Sequence, residues 1–487
     1  MKKTKANSRR DFLKASAIAG AGAMLSPHLL ANKNLLSRRR RYALVGTGSR
    51  ARTFQRAVQS TYSETCELVG LCDLNPGRLE LARQRSTDYE APIPPGYLHR
   101  DFERMIRETR PDFIIVTTMD STHDDYIIRA LEAGCDVITE KPMTTEQSKV
   151  LRIQEAVART GKTVRVCFNY RYSPARTQIK DLLMSGKIGD VLSVDFQWLL
   201  NTQHGADYFR RWHGEKKNSG GLMVHKSTHH FDLVNWWLGS NPSSVTAVGK
   251  REFYTPEMAK RLGLESYHER CQTCPEANKC SFHLDLAKSS THRKLYLEQE
   301  HHDGYYRDRC VFNPRIDIED TMNVIVQYDN KVTLSYSLNA FNSWEGYQIA
   351  FNGTQGRIEH SIVEKVYVNG TGTEQGGIAK GGITTRYIPL RGAAEDIMPW
   401  DSSGGHGGGD KVMLDDLFLD SPLADPYLRA SDDRGGAASV LIGSAANECF
   451  RSGQPVHIDT FAQGWKKPRY APMPDRSFPI SMPPAIG

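Results

Sequence analysis

Tyr42-Ala43-Leu44-Val45-Gly46-Thr47-Gly48-Ser49-Arg50-Ala51 decides how the chain is read. The first four residues are an apolar run suited to a buried parallel strand. A G-x-G-x-x-A turn follows at once. A helix-length stretch then leads to Glu67-Leu68-Val69-Gly70-Leu71-Cys72, which stops on Asp73. Gly46 permits the tight turn, Gly48 lets a pyrophosphate approach the backbone, and the small Ala51 lets the helix pack close to its strand. The helix N-terminus faces the phosphates. Asp73 stands at the spacing where a carboxylate accepts bonds from an adenosine ribose, which favours NAD. NADP stays open, because Arg50 and Arg52 lie beside the turn and an arginine there can take a 2′-phosphate.

Outward from this unit, helices are expected over Leu79 to Arg85, Phe102 to Glu108, His123 to Ala133 and Glu146 to Thr160. Strands are expected over Phe113 to Thr118, Asp136 to Thr139 and Val164 to Phe168. Residues 42–168 then form an α/β domain, a doubly wound parallel sheet of Rossmann type, with its ligand site at the carboxyl ends of the strands. Thr117, Thr118, His123, Glu140 and Lys141 fall on that edge and join the glycine turn as expected cofactor contacts. Beyond residue 169 the pattern changes. Leu192 to Trp198, Ser244 to Gly249, Asp320 to Tyr328, Lys331 to Asn339 and Tyr347 to Asn352 alternate as strands with one buried face. Residues 169–453 are therefore expected as a C-terminal α+β domain with an open, mostly antiparallel sheet. Residues 370–410 are Gly-rich and read as loop, and 454–487 as a Pro-rich tail.

The 487 residues suffice for two or three domains, with 39% hydrophobic and 24% charged residues, ordinary for a soluble protein. Lys2, Lys3, Lys5, Arg9, Arg10 and Lys14 against Asp11 place +5 of the formal +7 in residues 1–31, leaving +2 elsewhere. Nucleic-acid binding has little electrostatic support from that balance. Ser8-Arg9-Arg10-Asp11-Phe12-Leu13-Lys14, followed by an apolar stretch to Leu30, matches a twin-arginine export signal, with Ala31 as the cleavage position. That stretch is short, Gly-rich and broken by Pro27, so no permanent membrane span is expected. Residues 1–31 are read as signal and 32–41 as a basic linker. The twin-arginine translocase is the expected export partner, and the periplasm or cell exterior the destination.

Three features together resemble the glucose–fructose oxidoreductase and inositol dehydrogenase family (Gfo/Idh/MocA). They are the glycine turn, Glu140-Lys141-Pro142 at a strand end, and Gly220-Gly221-Leu222-Met223-Val224-His225-Lys226-Ser227-Thr228-His229-His230-Phe231-Asp232. The similarity spans about Tyr42 to Asn447. It implies that Lys141 and His229 are the catalytic pair, with Asp232 after them on the helix. It also implies that Asn169, Tyr170 and Arg171 line the nicotinamide and sugar pocket. His225 stands where the family has an acidic residue, and Ser227 where it has glycine. His225 is expected to tune the pocket. Histidines at i and i+4 share a helix face, so a metal pair is the other reading.

The chemistry also follows from the residue types. Oxidising a carbinol needs a base for the hydroxyl proton, which histidine suits, and positive charge at the oxygen, which a half-buried lysine supplies. The loop from Gln203 to His213 holds His204, Tyr208, Arg211 and Trp212, the aromatic and fork-like groups that bind sugars. Trp344 to Tyr347 and Gly404 to Asp410 are expected to close the same pocket. Nine cysteines are unevenly placed. Cys271, Cys274, Cys280 and Cys310 cluster in an insertion over about 255–312. They read either as a zinc or iron–sulfur site or as paired disulfides. The expectation is an exported NAD-dependent oxidoreductase acting on a sugar or glycoside, with its cofactor retained and a homo-oligomeric assembly. An NAD-dependent glycosidase and a non-catalytic sugar-binding protein are the alternatives.

Overall fold

Apolar runs without polar alternation must be covered on both faces. In the computed structural model, which describes residues 38–364, 376–420, 424–480 and 482, six such runs form one parallel sheet. They are β1 (Arg40–Val45), β2 (Cys66–Asp73), β3 (Gly96–Leu98), β4 (Phe113–Val116), β5 (Asp136–Thr139) and β6 (Val164–Val166), in the order β3-β2-β1-β4-β5-β6. Successive residues of β1 feed two cores: Ala43 and Val45 pack with Ile114 and Val116, and Tyr42 and Leu44 with Phe54 and Ile115. Chain order reverses beside β1, so β1 and β4 end where a doubly wound sheet opens its ligand crevice.

Helices α1 (Ala51–Arg56), α2 (Pro76–Asp88), α3 (His123–Glu132) and α4 (Gln147–Thr160) cover the sheet. Asn75 caps α2 by accepting from Arg78 N at 2.9 Å, with Pro76 at the first helical position. β1 starts at Arg40, two residues into the stretch expected as linker. Tertiary contacts recruit those arginines: Arg41 N donates to Asp112 Oδ2 at 2.8 Å and Arg41 Nη2 to Thr109 O at 2.6 Å.

The second sheet has nine strands: β7 (Val191–Asn201), β8 (Pro242–Lys250), β9 (Thr321–Tyr328), β10 (Thr333–Asn342), β11 (Glu345–Gly353), β12 (Gly356–Glu364), β13 (Ile378–Pro389), β14 (Glu395–Asp396) and β15 (Val456–His457). Only β7 and β10 pair in parallel. In β9 Met322, Val324 and Val326 are buried while Asn323, Ile325 and Gln327 are exposed, a one-sided strand. β13 lies in the stretch expected as loop. It forms because β12 offers a long antiparallel partner, Arg357 opposite Ile388 through Ile362 opposite Ile383, and pairing overrides local glycine content. Residues 365–375 of that stretch lie outside the described residues.

Helices α5 (Gly221–His225), α6 (Thr228–Leu238) and α7 (Asp433–Ser452) join the two sheets, α7 touching both β6 and β8. The tail packs Trp465 and Ala471 into the body. Among the described residues no helix is long and apolar enough to cross a membrane.

Candidate active site

The glycine turn is wedged between strand ends. Gly46 N donates to Cys72 O at 2.8 Å, and Thr117 Oγ1 donates to Gly46 O at 2.6 Å. Gly46 has φ +87°, and a Cβ there would stand 2.7 Å from the backbone of Thr117 and Thr118, so only glycine is accommodated. A Cβ on Gly48 would meet no atom within 4 Å. That free space is the cradle a pyrophosphate needs against bare backbone. Ala51 is buried beneath the turn. Asp73 Oδ2 accepts from Thr47 N and Oγ1 at 2.5 and 2.9 Å, and Oδ1 from Asn75 N at 2.7 Å, so the carboxylate is fixed at the strand end.

One cavity of about 780 Å³ runs from Asp73 and Arg78, past Gly48 and Arg50, to Lys141, Lys226 and His229. Arg50 turns toward the inner end, donating to Glu140 Oε1 at 2.5 Å and reaching Asp410 Oδ1 at 3.5 Å. Asn169 Nδ2 donates to Asp410 at 2.8 Å, while its Oδ1 is buried without a partner, an orphaned acceptor in the wall. His123 spends its ring on the backbone, with Nδ1 2.8 Å from Pro142 O and Nε2 3.2 Å from Thr118 O.

At the inner end Lys141 Nζ donates to His225 O at 3.0 Å. Burial brings its pKa down to about 8, against the opposing pull of Asp120. His225 Nδ1 lies 2.5 Å from Asp120 Oδ2, so the carboxylate missing from position 225 is supplied by Asp120. Burial raises the Asp120 pKa and holds both His225 and His229 well below the ordinary imidazole range. His229 stacks on Tyr170 with ring centroids 4.2 Å apart and leaves Nδ1 buried without a partner. The expected shared helix face does not exist, because Lys226 and Ser227 form a turn between α5 and α6. Among the described residues no group of three or more His, Cys, Asp or Glu is placed to hold a metal ion.

His204, Tyr208, Arg211 and Trp212 all line the cavity. His204 Nδ1 is 2.5 Å from Glu345 Oε1, Arg211 donates to Asp207 at 3.1 Å, and Trp212 stacks on His213 at 3.5 Å. Glu345 thereby braces the wall from behind, and His406 enters it directly. Arg171 is a correction. Its guanidinium donates to both carboxylate oxygens of Asp232 at 2.7 and 2.5 Å, both side chains buried, and it is not in the cavity wall. A buried arginine needs a buried acceptor, and Asp232 takes it, tying the Asn169–Tyr172 turn to α6.

Cys271, Cys274, Cys280 and Cys310 converge on a cavity of about 20 Å³, but all four are free thiols and no metal-holding group forms among the described residues. Cys271 Sγ lies 3.7 Å from Arg210 Nη1, and burial pushes the Cys274, Cys280 and Cys310 thiols up.

Sequence reasoning missed Asp120, Lys226 and the part of the insertion that roofs the nucleotide end. Tyr296, Asp303 and Tyr305 line the cavity opposite Asp73. Asn75 Nδ2 donates to Gln299 O at 2.9 Å, Arg78 pairs with Asp303, and a Cβ on Gly77 would run into the Gln299 side chain. Asp120 sits one residue after a recognisable strand-edge Thr117-Thr118-Met119, which was its one signal.

A parallel sheet with a glycine turn, followed by an open, mostly antiparallel sheet, is the architecture of a dinucleotide-binding domain with a C-terminal α+β domain. The chain belongs to the Gfo/Idh/MocA oxidoreductase family. Its family models match as the NAD-binding Rossmann fold over residues 40–168 and as the C-terminal alpha/beta domain over 180–458. A twin-arginine translocation signal matches residues 6–26, which indicates export out of the cytoplasm. The chain is 38% identical over 429 residues to YteT of Bacillus subtilis (strain 168), named as an oxidoreductase, covering 86% of this chain and 97% of that one. It is 34% identical over 211 residues to the inositol 2-dehydrogenase of Gluconacetobacter diazotrophicus, 43% of this chain and 57% of that one. Among solved structures, the WlbA dehydrogenase of Bordetella pertussis with NADH and UDP-GlcNAcA superposes with TM-score 0.56 at 18% identity, covering 86% of this chain and 99% of that one. The aldose-aldose oxidoreductase of Caulobacter crescentus superposes with TM-score 0.56 at 16% identity, covering 86% and 100%. Both are likenesses of fold.

Proposed function

We propose that the chain is an NAD-dependent oxidoreductase that oxidises a ring carbinol of a sugar or glycoside and keeps its nucleotide between turnovers. The observation that carries this reading is the single cavity joining the Gly48 cradle to Lys141 and His229. Gly46, Gly48, Asp73 and Asn169 would hold the nucleotide. A nicotinamide bound there would supply the hydride acceptor for oxidation of the carbinol carbon. Burial keeps His229 neutral, so its imidazole is free to take the hydroxyl proton. Lys141 Nζ, with a pKa of about 8, relays that proton outward at neutral pH. Asp120 fixes the His225 ring and with it the carbonyl that holds Lys141. NAD is favoured over NADP because the Asp73 carboxylate is fixed at the strand end and Arg50 is turned to Glu140. The insertion across that end supports a resident nucleotide, as does export of a folded protein.

Denaturing the purified protein and assaying the supernatant for NAD(H) tests retention. Following absorbance at 340 nm with a panel of sugars tests hydride transfer. Protein that neither carries nor binds nucleotide would overturn the reading.

A further inference from the structure

Lys226 is the cavity group that neither the glycine turn nor the Lys141–His229 pair explains. It lies in the turn between α5 and α6, is 5% exposed, and lines the cavity. Its ammonium stands 4.7 Å from the Trp198 ring centroid and 3.5 Å from Tyr170 Oη. Ring faces attract a cation but supply no counter-charge. The two carboxylates that act on it from nearby elements are committed elsewhere. Glu345 is held by His204 at 2.5 Å and by Asn201 N at 3.1 Å, and Glu364 accepts from Arg176 at 3.1 Å. Among the described residues no carboxylate forms an ion pair with Lys226. Burial accordingly lowers its pKa. A buried ammonium without an anion is costly to maintain, so a group retained in this state in a cavity wall calls for an anionic ligand.

We propose that Lys226 is the docking point for a carboxylate on the substrate, so that the sugar taken is an acidic one: a uronic acid or a glycoside of one. This rests on the carbohydrate reading above. A single ammonium beside the Tyr170 ring, both in the cavity wall, suits a carboxylate carried on a sugar ring. A phosphate would call on arginine forks, and Arg309 in this wall is paired with Glu269. Burial raises the Asp120 pKa, which weakens the charge it would set against a substrate carboxylate.

The full chain would be titrated with the methyl glycosides of glucuronic and galacturonic acid and with their neutral glucose and galactose counterparts. Tryptophan fluorescence reads binding, and absorbance at 340 nm reads turnover. The acid of at least one pair should bind roughly 10–100-fold more tightly than its neutral partner, the scale of a hydrogen bond to a charged group. In Lys226→Met that preference should fall below about twofold, and Lys226→Arg should restore part of it. Without sugar, Lys226→Met should melt no lower than the parent, because an unpaired buried charge has gone. Retained nucleotide checks that each variant folds, and if both fail to fold the acid-to-neutral ratio of the parent still decides. Equal affinities in every pair, no binding by any acid, or a preference that survives Lys226→Met would overturn the proposal. Acid binding without any nucleotide reduction keeps the Lys226 subsite and sinks the oxidoreductase reading. Turnover of neutral sugars with no acid preference does the reverse.

Discussion

The two walls of the nucleotide cavity are made in different ways. One comes from a single run of chain, Gly46 to Asp73, in which a turn, a helix start and a strand end are consecutive. The other is gathered from Tyr170, the Tyr208–His213 segment, His229, the Tyr305 region of the insertion and His406. In the first wall backbone geometry does the work: Gly46 at φ +87° and Gly48 with open space above it. In the second, side chains from distant segments hold each other, as Asp120 holds His225 across 105 residues. Backbone-made sites tolerate little local change, whereas a side-chain-made site shares its function over several groups.

The sharpest way to break this contrast is Lys141→Ala. Turnover should fall by roughly 10²–10⁴ with nucleotide still bound, since a single acid–base group is lost and the glycine wall is intact. Turnover near the parent rate would remove Lys141 from the chemistry. Next comes Arg171→Leu, which leaves Asp232 buried without its partner. Chemical denaturation should show a loss of about 3–5 kcal/mol, with the substrate KM of the folded fraction unchanged because Arg171 does not reach the cavity.

The two glycines should then separate. Gly46→Ala should cost about 1–3 kcal/mol of stability through backbone strain and also abolish nucleotide binding. Stripped of nucleotide, Gly48→Ala should melt like the equally stripped parent and bind added nucleotide more weakly, and a drop in the stripped melting temperature would contradict the open space seen above Gly48. A smaller effect is expected from Asp303→Ala in the opposite wall. Release of NAD should speed up roughly tenfold, the scale of one charged contact, read by stopped-flow fluorescence. An unchanged release rate would deprive the insertion of its retaining role.

The smallest effect is one of pH. Lys141 has a folded pKa of about 8, lowered from the ordinary lysine value, so its neutral form grows as pH rises through 8. The rate of sugar oxidation should rise up to about pH 8 and level off above it, and Lys141→Arg should lose that rise. A rate that falls through pH 8 would mean that the ammonium is the working form.

The sequence alone determined the parallel sheet, the glycine turn and the acidic stop, because these depend on residues close in the chain whose spacing is set by strand and helix periods. Asp136–Thr139 was legible to the residue, since a short apolar run bounded by glycine and a polar edge has one reading. Lys141 and His229 were legible for the same reason, each lying within a local motif. Arg171 was not: next to a pocket by sequence, it turns away because its buried charge needs Asp232. Strand β13 was hidden by its glycines and exists because β12 pairs with it. The four cysteines of the insertion were legible as a cluster, whereas the contact of Cys271 Sγ with Arg210 was decided by the packing of the insertion. Asp120 beside His225, Lys226 between Trp198 and Tyr170, and the roof over Asp73 were decided by tertiary structure alone. Each joins groups that no local period relates, and only the folded chain brings them within reach of one another.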